Sequence, residues 1–246
     1  MKTAICFSGI PRGNVVSCID KYKKVFPDAD PFYFTWSEYK TEMESILNSP
    51  VDHAEEPEID YCAFLESPTF PNKDGSESTV GPNVITNNPN RMKRFRDNWE
   101  YAHFKALRTK QLIGHALHLE KIPLKYDMII RARYDIEISL KCDFTRYVEN
   151  SYEKKRAIGF SFGVNGINGN WETIKHLDGN YQDEGRKYLE DFMILHPREM
   201  YDSEWVKKLY KSKQLYPSEI GWYQVLSYPF GTNHLCCGGG VRLAYR

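Results

Sequence analysis

The chain has 246 residues, the upper range of one α/β domain or enough for two small ones. Apolar residues make up 41%, enough for a sizeable core, and Lys plus Arg balance Asp plus Glu at 33 each, so no general nucleic-acid coat is implied. The cysteines at 6, 18, 62, 142, 236 and 237 form no Cys-x-x-Cys pair, which excludes a zinc ribbon and a disulfide framework and fits a reducing cytoplasm.

In chain order, "KTAICFS" (2–8) predicts a short buried strand, and "GIPRGN" a Gly/Pro turn carrying Arg12. The N-terminus thus runs directly into a strand, with no signal-peptide pattern. "VVSCIDKYKKVF" spaces its apolar residues for a helix on a core, and "DPFYFTW" predicts a second strand, so the chain opens as β-α-β of a parallel sheet. Residues 66–90, rich in Pro, Gly, Ser and Asn, are expected to form a mobile loop. Residues 91–121 predict a helix whose core face carries Met92, Phe95, Trp99, Ala102, Ala106, Ile113 and Leu117. Between 91 and 110 its other face is basic: seven Lys/Arg stand against Asp97 and Glu100, a local net charge of +5. "YDMIIRARYDIEI" (126–138) and "AIGFSFGV" (157–164) predict further strands. A short apolar piece in "YLEDFMILHPREM" is followed by helical patterns, one of them entered through Pro217. Residues 236–246, with three glycines, are expected to be a flexible tail, and the whole of 1–246 one domain. No apolar run approaches the roughly 20 residues of a membrane span.

The strand at 126–138 ends in alternating charges, Arg131, Arg133, Asp135 and Glu137. With period-two alternation all four point one way if the extended conformation persists. Arginine forks match phosphate oxygens and carboxylates hold hard divalent cations, so the strand end suits a metal-chelated diphosphate; the alternative is an ion-pair ladder at a sheet edge. Ser8, Gly9 and Arg12 follow a strand at the carboxyl end of an open sheet, where such sheets bind ligands. Asp191, before an apolar strand, and Glu219, near a helix start, are candidate general bases.

Taken in order, "AICFSGIPRG", "FYFTW", the Trp-containing helix, "YDMIIRARYDIEI", "EDFMILHPREM" and "YPSEIGW" resemble the small nucleotide-sugar-dependent glycosyltransferases of the GT-A kind. These place a Tyr-Asp-apolar-apolar-Ile-Arg-x-Arg-x-Asp strand at the nucleotide-sugar site, with an Asp-x-Phe segment and a Pro-x-Glu helix start further on. The resemblance implies a Rossmann-like α/β fold with a mostly parallel central sheet. It also implies glycosyl transfer from a nucleotide-diphosphate sugar to an acceptor hydroxyl. Ser8, Gly9, Arg12, Arg131, Arg133 and Asp135 would bind the donor, and Asp191 or Glu219 would be catalytic. Asp135, Glu137 and His234 would hold Mn or Mg, although Glu137 stands where the family has Asp.

Phage enzymes of this chemical class glycosylate hydroxymethylated cytosine in DNA, which implies a host cytoplasm and base flipping. Arg91, Lys93, Arg94 and Arg96 are the candidate DNA contacts. A surface or lipid-linked glycan is the alternative acceptor; the closing "GGGVRLAYR" is too short for the basic amphipathic helix of many lipid-acceptor enzymes. A non-catalytic nucleotide-binding module is the alternative outside enzymes, and would leave Asp191 and Glu219 dispensable.

Overall fold

The computed structural model describes residues 1–58, 70–71, 77–78, 99–161, 171–176, 189, 191–201, 206, 222, 225–226 and 234–244. Strand β1 (Thr3–Ser8) is buried from Ala4 onward, which its apolar run requires of a strand covered on both faces. Helix α1 (Val15–Val25) follows. Asn14 caps it by accepting the Ser17 amide at 3.0 Å, and Val15, Cys18, Ile19 and Tyr22 form its buried stripe. Strand β2 (Asp30–Trp36) returns parallel to β1, with Phe32 opposite Cys6, so the expected β-α-β opening is present. Helix α2 (Lys40–Leu47) leads to β3 (Asp52–Ala54), also parallel.

Within 66–90, the described part is a two-residue ladder, β4 (Phe70–Pro71) with β5 (Glu77–Ser78). Then come α3 (Trp99–Lys121), β6 (Met128–Ala132), β7 (Ile136–Ile138), α4 (Thr145–Glu153), β8 (Ala157–Ser161), β9 (Lys175–His176), β10 (Met193–Pro197), β11 (His234–Gly238) and β12 (Val241–Leu243). Eight strands form one sheet in the order β3-β2-β1-β6-β10-β8-β11-β9. β10 is antiparallel to β6 and β8, and β9 is antiparallel to β11; the remaining pairings are parallel.

The central strand β6 shows how the layers form. Met128, Ile130 and Ala132 pack with residues of α1 and α4, while Ile129 clusters with Leu119 of α3 and with Ile122 just beyond it. Helix α3 is buried more fully than a single stripe predicts: Leu112, Ile113, His115, Ala116, His118 and Leu119 are all buried, and Leu117 is only partly so. The reason is further packing: Trp222, Val225 and Leu226 join α3 and residues of the sheet in one apolar cluster, with the Trp222 ring against His115. Residues 91–98, the start of the expected helix, lie outside the described residues.

The segment from 236 does not form the expected free tail. Cys236 and Cys237 are buried in β11, and 241–243 pair with β7. Its glycines serve the turn between the two strands, with Gly239 and Gly240 at φ +93° and +75°.

Three histidines lie wholly inside. His115 Nε2 is 3.3 Å from His196 Nε2, and the His118 ring stacks on Phe34. Burial depresses all three: His118 to about 3, His196 to about 4, and His115 well below its ordinary value, with neighbouring His196 and Arg131 adding to the effect there. Each is neutral when folded and protonates only on unfolding below about pH 6.5. Their contribution is therefore intact above that pH and lost as pH falls toward about 4. Stability should drop by up to about 1.4 kcal/mol per pH unit for each histidine in that window. A denaturation series across it checks this, and His118→Phe should flatten the slope.

Candidate functional site

The sheet reverses its winding direction beside β1. The chain builds β2 and β3 on one side of β1, then returns as β6 on the other, and the carboxyl ends of β1 and β6 flank the crevice at that switch. Ser8, Gly9 and Arg12 reach it from β1 and its turn, and Arg133, Tyr134 and Asp135 from the turn after β6. Trp36, Tyr39, Glu56, Lys110 and Gln111 complete the lining. Gly9 has φ +134°, a conformation strained for other residues, and the space beside its Cα is open. The Thr35 hydroxyl fixes this turn by donating to the Gly9 carbonyl at 2.8 Å.

β6 stops at Ala132 because the chain turns. Tyr134 anchors the turn: its hydroxyl donates to the Phe34 carbonyl and accepts the Phe34 amide, both at 3.0 Å. Asp135 accepts two hydrogen bonds from Arg133, at 2.8 Å from Nε and 2.7 Å from Nη2. This leaves Arg133 Nη1 buried without a hydrogen-bond partner, and Ser8 Oγ is in the same condition. Arg131, fully buried, donates to the Asp191 carbonyl and to Gln111 Oε1 at 3.2 Å, and lies over the Trp222 ring. Arg133 lies over Phe192. Asp191 is itself buried, just before β10, at the same edge of the sheet as the cleft.

The expected common face of four charges is not present, because the extended conformation ends at Ala132. Arg131 turns into the core, Arg133 and Asp135 line the cleft, and Glu137 goes elsewhere. Glu137 accepts hydrogen bonds from Lys21 on α1 and from Arg242 Nε at 2.6 Å. Burial works against its charge, but those two cations outweigh it and hold its carboxyl below the ordinary value. His234 begins β11 opposite Ala157, the first residue of β8, at the sheet end remote from the cleft. So the structure does not bring Asp135, Glu137 and His234 together. Among the described residues no group of three His, Cys, Asp or Glu could hold a metal ion. The described residues do not fit the Mn or Mg site expected from Asp135, Glu137 and His234.

Glu219, Arg91, Lys93, Arg94 and Arg96 lie outside the described residues. Lys110, read in the sequence as part of a basic helix face, lines the cleft and pairs with Glu56 at 2.9 Å. Tyr134 and Gln111 carried no separable signal: a tyrosine beside a charged run and a glutamine in a helix have ordinary surface roles.

No protein-family model matches the chain, and no curated protein matches it in sequence. Solved structures do resemble it. The 4-diphosphocytidyl-2C-methyl-D-erythritol synthase of Anaerococcus prevotii aligns with a TM-score of 0.50 at 6% identity, over 100% of this chain and 93% of its own. A Bacillus anthracis protein assigned as a glucose-1-phosphate thymidylyltransferase, in complex with sucrose, gives 0.49 at 14% identity, over 99% and 89%. Core-mannan synthase A of Aspergillus fumigatus, in a Mn/GDP form, gives 0.42 at 10% identity, over 90% and 69%. The first of these, matched along nearly its whole length, establishes the fold. It is a Rossmann-like, mostly parallel α/β fold, as the sequence resemblance implies.

If Glu137 is an ion-pair partner and not a metal ligand, Glu137→Gln should lower the melting temperature, because Lys21 and Arg242 lose their shared anion. Titration with Mn²⁺ should give the same heats for this variant and the wild type.

Proposed function

We propose that the chain is a glycosyltransferase that moves a sugar from a nucleotide-diphosphate-sugar donor to an acceptor hydroxyl. The observation that carries this reading is the pair of buried, unpartnered donors, Ser8 Oγ and Arg133 Nη1, at the ends of adjacent strands. Leaving such a group unsatisfied costs about 1–3 kcal/mol, and phosphate oxygens would satisfy both. Arg12 and Lys110 bring further positive charge to the same cleft. In this reading Arg12, Lys110 and Arg133 neutralise the charge that develops on the leaving diphosphate. Asp191 does not line the cleft but lies at the same sheet edge, its carbonyl bonded to Arg131, and in this reading it takes the acceptor proton. Glu219 is the second candidate for that role.

Nucleotidyl transfer to a sugar phosphate would also place a nucleotide's phosphates against buried donors such as these, and the products separate the two. Glycosyl transfer releases a nucleoside diphosphate, and nucleotidyl transfer releases pyrophosphate. For the acceptor we favour the hydroxymethyl group of a modified cytosine in DNA, on the local charge of +5 between 91 and 110 in a chain of zero net charge. Arg91, Lys93, Arg94 and Arg96 would contact its phosphates. A cytoplasmic location accords with this acceptor. A surface or lipid-linked glycan is the other outcome of the assay.

Arg133→Ala should weaken binding of a nucleoside diphosphate by about 1.5–3 kcal/mol in calorimetry, the range for a charge-assisted hydrogen bond. Unchanged affinity in a folded variant overturns the donor site. Transfer of labelled sugar to hydroxymethylcytosine-containing DNA, across a panel of nucleotide sugars, tests the reaction and the acceptor together. In that assay, or with a glycan acceptor, Asp191→Asn should lower turnover about 10²–10⁴-fold and spare donor binding. A full rate would point to Glu219, and no transfer by a wild type that binds the donor would point to a non-catalytic module.

A further inference from the structure

We infer that the C-terminal strand β12 is a strap that positions the anion-binding cleft, and that Glu137 and Arg242 lock it. This deepens the donor-site reading above, since the cleft it positions is the same one.

The dependence runs through β7. This strand has no ladder to the eight-stranded sheet; among the described residues its one strand partner is β12. The register sets Arg242 opposite Glu137, and their side chains meet there at 2.6 Å. The two oxygens of Glu137 are divided: one takes Lys21 from α1, the other takes Arg242 from the strap. One residue beyond β12, the Ala244 amide donates to the Asp135 carbonyl at 2.9 Å. Asp135 in turn grips Arg133 through Nε and Nη2, which leaves Nη1 as the buried unpartnered donor of the cleft. The orientation of that donor therefore depends on a backbone bond made by the end of the chain.

The strap is also anchored at its start. The Gly240 amide donates to the Trp171 carbonyl at 2.6 Å, and the Ser139 amide to the Gly240 carbonyl at 2.8 Å. A Cβ on Gly239 would lie 2.1 Å from the Thr173 carbonyl oxygen, so the turn from β11 into β12 admits little variation. The Arg242 guanidinium covers the Trp171 ring at 4.3 Å. Arg242 itself does not line the cleft, and its side chain is 48% exposed. Any effect of its removal on anion binding must be transmitted, which makes it a positioning residue.

The test compares the wild type with Arg242→Ala and Arg242→Lys, using amide hydrogen exchange and titration with inorganic pyrophosphate. In Arg242→Ala, amides of residues 133–138 and 241–244 should exchange about three- to tenfold faster, with those of β1 and β6 unchanged, and pyrophosphate affinity should fall by a similar factor. Arg242→Lys keeps the charge opposite Glu137 and should restore most of both. Unchanged exchange at 133–138 in Arg242→Ala overturns the inference, and so does faster exchange with unchanged pyrophosphate affinity. If Arg242→Ala loses protection throughout the sheet, Arg242→Gln is read by the same criteria. A wild type that binds neither pyrophosphate nor any nucleoside diphosphate refutes the donor reading instead, and the strap is then decided by the exchange alone.

Discussion

A guanidinium with no exposed surface, Arg131, stands between the central sheet and the helix packed across it. It cannot shed its proton, and an unmet charge there would be prohibitive. The protein meets it from three separate segments: the Asp191 carbonyl from the approach to β10, Gln111 from α3, and the face of Trp222. Because these groups converge on one charge, they are held in a single relation to each other. The same positive charge also helps keep His115 neutral, one helical turn from Gln111. Gln111 of α3 and the backbone of Asp191 are thus tied to the central strand by one buried cation.

Around that cation the carboxylates are already engaged. Asp135 is taken by Arg133, Glu56 by Lys110, and Glu137 by Lys21 and Arg242. What the cleft retains is donor capacity, in Ser8 Oγ and Arg133 Nη1, together with the cations Arg12 and Lys110 on its wall. A cleft so arranged recognises an anion more readily than a cation. The departure of residue 137 from the aspartate of the resembled motif accords with this. The extra methylene of glutamate reaches outward to α1 and the strap, and the neighbouring aspartate alone faces inward.

Much of the architecture was legible because local pattern and global fold agree. The apolar runs in β1, β6 and β10 can be satisfied only in a sheet covered on both faces, and the Gly/Pro turn after β1 puts Ser8, Gly9 and Arg12 where such sheets bind ligands. The fate of the charged stretch was not legible. Alternation predicts a common face only while a strand continues, and its end at Ala132 depends on Tyr134 bonding to Phe34 far away in sequence. The tail was misread for a related reason. Three successive glycines suggest a free chain, but here they allow a close turn against Thr173 and deliver a strand to β7. Likewise, part of the packing around α3 is supplied by Trp222, Val225 and Leu226, more than a hundred positions away, which no helical stripe reveals.

The antiparallel strand changes which residues reach the sheet edge that holds the cleft. In a purely parallel sheet every strand offers to its carboxyl edge only the residues that follow it. β10 runs against β6 and β8, so it offers to that same edge the residues that precede it, Asp191 and Phe192. That reversal sets a carboxylate-bearing segment beside Arg131 and an aromatic ring against Arg133. Ser8, Arg133 and Asp191 reach one sheet edge from elements far apart in the chain, and each is fixed by hydrogen bonds or packing to a neighbouring strand or helix. The group-transfer site proposed above would need phosphate-binding donors and a carboxylate held in fixed relation, and one reversed strand in a mostly parallel sheet brings Ser8, Arg133 and Asp191 to a single edge.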